Sequence, residues 1–189
     1  MRKAIFLDRD GTINRDHGYV YRKEDFEFLP GVIESLQLLE HMGFLLVIVT
    51  NQSGIARGYY SEEAYQDLNR WMVDTLKKEG VTIASSFYCP HHPDAKIEKY
   101  RINCECRKPG TLLYKKAYEK LDIDLSQSYA IGDKERDVAF CKESDVKGII
   151  LYQEETKQEE NIRWIQGSLM DAAAMIKEEI ESGREYNSK

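Results

Sequence analysis

Residues 4–12 read Ala4-Ile5-Phe6-Leu7-Asp8-Arg9-Asp10-Gly11-Thr12, a short apolar run that stops on a pair of acids. The run is continuously apolar rather than alternating, as a strand is when both faces of its sheet are covered. Leu45 to Val49 ends the same way before Thr50, Phe87-Tyr88 before Cys89, and Tyr129 to Ile131 before Gly132-Asp133. Lys147 to Tyr152 gives a fifth such run. Between them lie segments with helical spacing: Val32, Leu36 and Leu39 before Gly43, then Ser61 to Gly80, Thr111 to Leu121, Lys134 to Ser144 and Ser168 to Ser182. Ser61 followed by Glu62-Glu63 is an N-cap with an acidic first turn, and Ser168-x-x-Asp171 is a capping-box pattern. The alternation predicts an α/β fold with a doubly wound parallel sheet. Such sheets bind ligands beyond the carboxyl ends of their strands, near the topological switch point.

With 189 residues the chain fits one domain, expected over 1–182, with a frayed tail over 183–189. Its formal charge of −6 and the absence of a Lys/Arg cluster argue against a nucleic-acid partner. The longest apolar stretch, Phe44 to Val49, is far short of the ~20 residues that cross a bilayer, and Met1-Arg2-Lys3 leads into a strand, not a signal peptide. A cytoplasmic monomer that does not bind membranes is expected. Two connections, Asn14 to Leu29 and Pro90 to Asn103, are long for a compact domain, and loops of that length are usually functional or disordered.

The residues that end the runs carry a coherent chemistry. Asp8 and Asp10, two apart at a strand end, can face one side, so that one attacks phosphorus while the other exchanges a proton with the leaving oxygen or the attacking water. An anionic nucleophile meeting an anionic phosphate needs a hard divalent cation, and Mg2+ bound by one or two carboxylates plus substrate oxygens suits it; Asp133 is the natural third ligand. Thr50 offers a hydroxyl, the turn Asn51-Gln52-Ser53-Gly54 offers amides, and Lys108 offers a compensating charge for a phosphoryl transition state. An isolated Asp-x-Asp at a strand end is usually a turn signal with no chemistry. Four such elements in order along the chain are not what turn chemistry produces. A non-catalytic phosphate-binding module is the competing class, and it has no need of a nucleophile and a proton carrier together.

Cys89-Pro90-His91 and Cys104-Glu105-Cys106 bracket the second long loop. Three thiolates and an imidazole suit a closed tetrahedral Zn2+ site, structural because no position stays open for substrate. His92 competes with His91 as the fourth ligand. Cys141 reads as a small buried residue and His41 as a surface one. A folded metal loop would fix the backbone that aims Arg107 and Lys108.

Asp8-Arg9-Asp10-Gly11-Thr12, Thr50-Asn51, Lys108-Pro109 and Gly132-Asp133-Lys134-Glu135-Arg136-Asp137 together resemble the four motifs of the haloacid-dehalogenase-like (HAD) phosphatase superfamily. The resemblance implies a Rossmann-like core without a separate cap domain and an aspartyl-phosphate on Asp8. It also implies Asp10 as general acid and base, Mg2+ held by Asp8, Asp133 and the backbone carbonyl of Asp10, and Asp137 as an orienting group. Within the superfamily, Asp16-His17-Gly18-Tyr19-Val20, Phe26-Glu27-Phe28, Thr50 to Gly58 and Cys89 through Pro109 are similar to the branch that acts on heptose bisphosphates in the supply of activated heptose. Histidinol-phosphate phosphatases rank second, since their zinc loop is typically shorter. This likeness implies His91 as the zinc ligand and a small phosphorylated sugar as substrate. It implies substrate contacts from Asp16, His17, Gly18, Tyr19, Thr50, Asn51, Gln52, Ser53, Arg107, Lys108 and Lys134, with Arg107 also serving catalysis.

Overall fold

A computed structural model of the protein describes residues 1–186. The strands are β1 Ala4–Leu7, β2 Leu45–Asn51, β3 Ile83–Cys89, β4 Tyr129–Gly132, β5 Lys147–Ile150, β6 Lys157–Glu159 and β7 Ile162–Trp164. They form one sheet in the order β3-β2-β1-β4-β5-β7-β6. The pairs are parallel from β3 through to β7, and β6 lies antiparallel on β7. The helices are α1 Val32–His41, α2 Ser53–Ala56, α3 Glu62–Lys78, α4 Leu112–Leu121 and α5 Leu169–Tyr186. Among the described residues no helix is long and apolar enough to cross a membrane.

Side-chain alternation along each strand explains why the apolar runs are continuous. Ile5, Leu7, Leu46, Ile48, Ile131 and Ile149 enter a core shared with α1, α3 and α5. Their neighbours Ala4, Phe6, Val47, Val49, Ala130 and Ile150 enter a second core under α4 and the segment after β4. One run therefore feeds both layers. Each large aliphatic side chain fully buried this way contributes about 1.5–3 kcal/mol. In the second core Phe6 meets Tyr114 edge-on at 5.4 Å, and Tyr114 stacks on Phe140 at 5.2 Å.

From β1 the chain passes outward to β2 and β3, then returns to β4 on the opposite flank. The connections thus diverge between β1 and β4, which opens a crevice above their carboxyl ends. The cap of α3 is as the sequence implies, Ser61 Oγ accepting from Ala64 N at 3.1 Å. At the start of α5 the Asp171 carboxylate accepts from Ser168 N at 2.6 Å.

The structure departs from the sequence reading in several places. Residues 134–144 do not form an α-helix; Glu135–Glu143 is a 3-10 helix. Side chains there take carbonyls that a wider helix would use: Tyr114 Oη donates to Asp137 O, Ser144 Oγ to Phe140 O, and Asn161 Nδ2 to Cys141 O. Strand β5 stops at Ile150, and Tyr152 has a left-handed φ of 57° that turns the chain away. The β6–β7 hairpin has no counterpart in the sequence reading; its strands are three residues each and β6 is exposed throughout, so it carries little periodic signal. Helix α5 continues past Ser182 to Tyr186, and residues 187–189 of the expected tail lie outside the described residues.

Candidate active site

Strand β1 delivers Asp8 to the crevice, its amide still bonded to Ile131 O of β4 at 3.1 Å. Strand β2 carries Thr50 and Asn51 within it rather than after it. Asn51 then fixes Lys108 by two bonds: Asn51 Nδ2 donates to Lys108 O at 3.1 Å, and Lys108 N donates to Asn51 Oδ1 at 2.9 Å. Its amide is thereby a scaffold for Lys108. Gly110 allows the tight return that follows, since a Cβ there would lie 2.2 Å from Glu105 O.

Lys108 lies beneath Asp8, 2% exposed. Its Nζ is 2.7 Å from Asp8 Oδ1, 2.7 Å from Asp137 Oδ1 and 2.7 Å from Val49 O. An ammonium has three donors, and each has a partner here. Lys108 therefore sits under Asp8 and is not a wall of the cleft. Burial opposes its charge, but the Asp8 and Asp137 carboxylates outweigh burial and raise its pKa. Burial, reinforced by the Asp137 charge and opposed by Lys108, pushes Asp8 up to about 7.

Asp8, Asp133 and Asp137 offer carboxylate oxygens that all lie within 4.8 Å of one another. Three features fit them to a divalent cation. The set carries three carboxylates against two ammoniums, Lys108 and, 3.2 Å from Asp133 Oδ2, Lys134. Asp133 Oδ1 is buried without a hydrogen-bond partner. Gly11, at a φ of 87°, leaves space beside that carboxylate which a Cβ would fill at 2.6 Å from Asp133 Oδ2. Burial also raises the Asp133 pKa. The other oxygen of Asp137, Oδ2, accepts from Lys134 N at 3.0 Å, which ties the 3-10 segment to the site.

The Asp10 side chain points elsewhere. Arg9, fully buried, donates to it twice, at 3.1 and 2.8 Å, and also to Val20 O at 2.7 Å. Asn14 Nδ2 donates to Asp10 Oδ1 at 3.1 Å and Gln52 Nε2 to Oδ2 at 2.9 Å. Any metal contact by Asp10 is thus left to its backbone carbonyl.

A cleft of about 360 Å³ lies over these groups, lined by Asp8, Asp10, Thr50 and Gln52 below, and by Asp16, Gly18, Tyr19 and Lys134 at one side. Asn51, Ser53, Arg57, Tyr60, Arg107 and Arg136 complete it. Most of the residues assigned to substrate from sequence therefore meet here. His17 does not: it is exposed and lies 3.7 Å from the Glu27 carboxylate, off the cleft. Sequence reasoning gives no role to Arg57, Tyr60 or Arg136, although two arginines close to motif residues in an acidic chain are a usable signal.

Beside the cleft, Cys89, His91, Cys104 and Cys106 form a second group that could hold a metal. Cys106 Sγ is 3.1 Å from both Cys89 Sγ and Cys104 Sγ, and 3.3 Å from His91 Nδ1. Those separations are slightly inside the ~3.8 Å edge of a tetrahedron with ~2.3 Å metal–sulfur bonds. His92 turns away: its Nδ1 accepts from Asp94 N, and its Nε2 is 3.3 Å from Arg57 Nη2. Burial raises the Cys89 and Cys106 thiols. At Cys104 burial is outweighed by hydrogen bonds from those two, and its pKa falls. The loop is anchored to the neighbouring turn, with Lys96 N and Ile97 N both donating to Ala56 O at 3.0 Å. Arg107 Nη1 reaches back to His91 O at 3.4 Å.

A HAD-hydrolase-like family model matches residues 105–171. The chain is 44% identical over 183 residues, 94% of its length and 98% of the relative's, to the D-glycero-beta-D-manno-heptose-1,7-bisphosphate 7-phosphatase of Pasteurella multocida. It is 43% identical to the protein of that name in Escherichia coli K12, covering 93% of this chain and 94% of that one. Among solved structures it is similar to D,D-heptose 1,7-bisphosphate phosphatase from B. bronchiseptica complexed with magnesium and phosphate. That match has a TM-score of 0.80 at 28% identity and covers 94% of this chain and 99% of that one. A HAD-like phosphatase from Mesorhizobium loti matches with a TM-score of 0.83 at 30% identity, over 93% of this chain and 86% of the other.

Proposed function

The chain belongs to the family of D-glycero-beta-D-manno-heptose-1,7-bisphosphate 7-phosphatases, which are HAD-like phosphatases, and on that premise we propose that it removes the C7 phosphate of this sugar bisphosphate, preferring the β anomer. What supports the reading in the molecule itself is the buried Lys108 that touches both Asp8 and Asp137, with Asp10 on the floor of the same cleft. A carboxylate held this way is aimed at whatever phosphorus enters.

In the first half-reaction Asp8 attacks phosphorus, the P–O bond to C7 breaks, and Asp10 gives its proton to the sugar oxygen. In the second, Asp10 takes a proton from water, the water oxygen attacks phosphorus, and the Asp8–phosphorus bond breaks to release inorganic phosphate. Mg2+, held by Asp8, Asp133 and the Asp10 carbonyl with Asp137 orienting them, would offset the negative charge of nucleophile and phosphate. Thr50 and Ser53 donate to the transferred group. Arg107 and Lys134 grip the remote end of the substrate, with Asp16, Gly18 and Tyr19 shaping that side. Zn2+ at Cys89, His91, Cys104 and Cys106 would pin the loop that carries Arg107.

The test is a phosphate-release assay with magnesium across both heptose bisphosphate anomers, histidinol phosphate and an aryl phosphate. The heptose bisphosphates should lead in kcat/KM, and a lead for histidinol phosphate would overturn the substrate reading. Arg107→Ala should lower kcat/KM for the bisphosphate by about 10- to 100-fold, the size of a lost charge-assisted bond, and much less for the aryl phosphate. Equal losses on both substrates would count against a grip on the remote end.

The metal loop has its own check. Atomic absorption should find one zinc per chain in the parent, and Cys106→Ser should lose it, increase protease cleavage within 90–103, and lower kcat/KM about 10-fold or more. Full activity in a protein shown to lack zinc would remove the positioning role from the loop.

A further inference from the structure

Gln52 lines the cleft, yet nearly all of its hydrogen-bonding capacity is committed to other side chains. Its Nε2 donates to Asp10 Oδ2 at 2.9 Å and to Thr50 Oγ1 at 3.0 Å, and its Oε1 accepts from Tyr60 Oη at 2.7 Å. Both amide hydrogens and one of the two acceptor positions are in use, and Gln52 is only 2% exposed. A group spent in this way has little left for a ligand. We propose that Gln52, locked by Tyr60, is a positioning residue that aims Asp10 and Thr50 at the phosphoryl group and does not itself bind substrate. The proposal deepens the phosphatase reading and rests on it for the roles of Asp10 and Thr50.

The direction of each bond decides what Thr50 and Asp10 can still do. Because Gln52 donates to Thr50 Oγ1, the threonine hydrogen is not spent on Gln52 and remains for a phosphoryl oxygen. Because the same amide donates to Asp10 Oδ2, it opposes with Arg9 and Asn14 any rotation of that carboxylate out of the cleft. An amide turned end for end would present its oxygen to both partners, facing a carboxylate with an acceptor and capturing the Thr50 hydrogen. The Asp10 carboxylate, which has no hydrogen to offer an amide oxygen, disfavours that state, and Tyr60 holds the observed one by donating to Oε1.

The surroundings are shaped to keep Tyr60 in place. Its ring stacks on Tyr21 at 5.0 Å and 12° between planes. It also passes so close to Gly54 that a Cβ on that glycine would lie 2.2 Å from Tyr60 Cε1. The glycine of the turn thus makes room for the tyrosine that locks the glutamine two residues before it.

The experiment is a double-mutant cycle on the full-length, magnesium-loaded enzyme with Tyr60→Phe, Gln52→Met and the pair, assayed on aryl phosphate and on the sugar bisphosphate. Gln52→Met should lower kcat about 30- to 100-fold and Tyr60→Phe about 3- to 10-fold, with KM for both substrates within about twofold of the parent. The double variant should be no slower than Gln52→Met alone, because Tyr60 acts through Gln52. A raised KM for the bisphosphate with kcat retained would make Gln52 a substrate ligand and overturn the proposal. Additive losses would overturn it too, by showing that Tyr60 acts separately. A general loss of folding would lower thermal midpoints without giving this cycle, so both are measured. A parent enzyme inactive on every phosphomonoester would sink the phosphatase reading, and the positioning role with it. An active parent with an additive cycle would sink the positioning role alone.

Discussion

Asp8→Asn should release phosphate at least about 10⁴-fold more slowly than the parent, the loss seen when an enzyme's nucleophile is removed, and yet melt at a higher temperature than the parent at pH 8 without magnesium. The first effect is the loss of the attacking carboxylate, and the second comes from its burial. The carboxylate is 6% exposed and faces the Asp137 charge as well as Lys108, and its pKa rises from 3.8 to about 7. A group whose pKa is higher in the folded than in the unfolded state contributes stability in full below its unfolded value and loses it as pH rises through the folded one. The metal-free parent should therefore lose on the order of 2–4 kcal/mol from this residue between about pH 4 and pH 8. The carboxamide that Asp8→Asn introduces does not ionise and escapes that loss, less what it forfeits in pairing with Lys108. Melting both proteins near pH 4 and at pH 8, with and without magnesium, gives the check. The variant's advantage should be absent near pH 4, present at pH 8, and reversed when magnesium is added to the parent. Superposable melts at both pH values would refute the burial argument, and phosphate release by the variant would refute the nucleophile.

The sequence carries the fold and the chemistry of this site unevenly, for physical reasons. Asp8, Thr50 and Asp133 are legible because a strand ending on a polar residue in a parallel sheet has one place to put it, and β1, β2 and β4 are adjacent. The cysteine and histidine pairs are legible as a group because their spacing is that of a metal-ligand set, and the fold brings Cys89, His91, Cys104 and Cys106 together. Arg9 is not, since an arginine between two aspartates reads as solvated, whereas here it is buried and holds Asp10. Gln52 carries no sign that its partners are side chains rather than a ligand. The 3-10 segment after β4 has ordinary helical spacing, and what narrows it are long-range donors, Tyr114 from α4 and Asn161 from the turn before β7. Such contacts have no periodicity to read. His17 stands in a motif whose neighbours Asp16, Gly18 and Tyr19 reach the cleft. Gly18 has a φ of 81° and Tyr19 of 58°, a turn of backbone that leaves His17 facing Glu27 instead.

Lys108→Met should cost about 3–5 kcal/mol of stability, the range found when one partner of a buried ion pair is removed, and about 10 °C in melting temperature for a domain of this size. Methionine fills much of the same volume, so the loss is electrostatic: Asp8 and Asp137 remain buried with no ammonium, and Val49 O loses its donor. Lys108 itself stays charged at any working pH, because its pKa is raised in the folded protein. The variant's pH dependence must then follow Asp8. The deficit should shrink as pH falls and Asp8 takes up a proton, and magnesium should restore part of it by supplying positive charge on the opposite side of Asp8. Adding Asp137→Asn to Lys108→Met removes one of the stranded charges, and should recover stability without recovering turnover. A deficit that stays the same from pH 5 to pH 8 and ignores both magnesium and the second substitution would mean that packing, not charge, is what Lys108 provides. The proposed division of labour, with the ammonium holding the nucleophile ready and the cation meeting the phosphate, would then lose its basis.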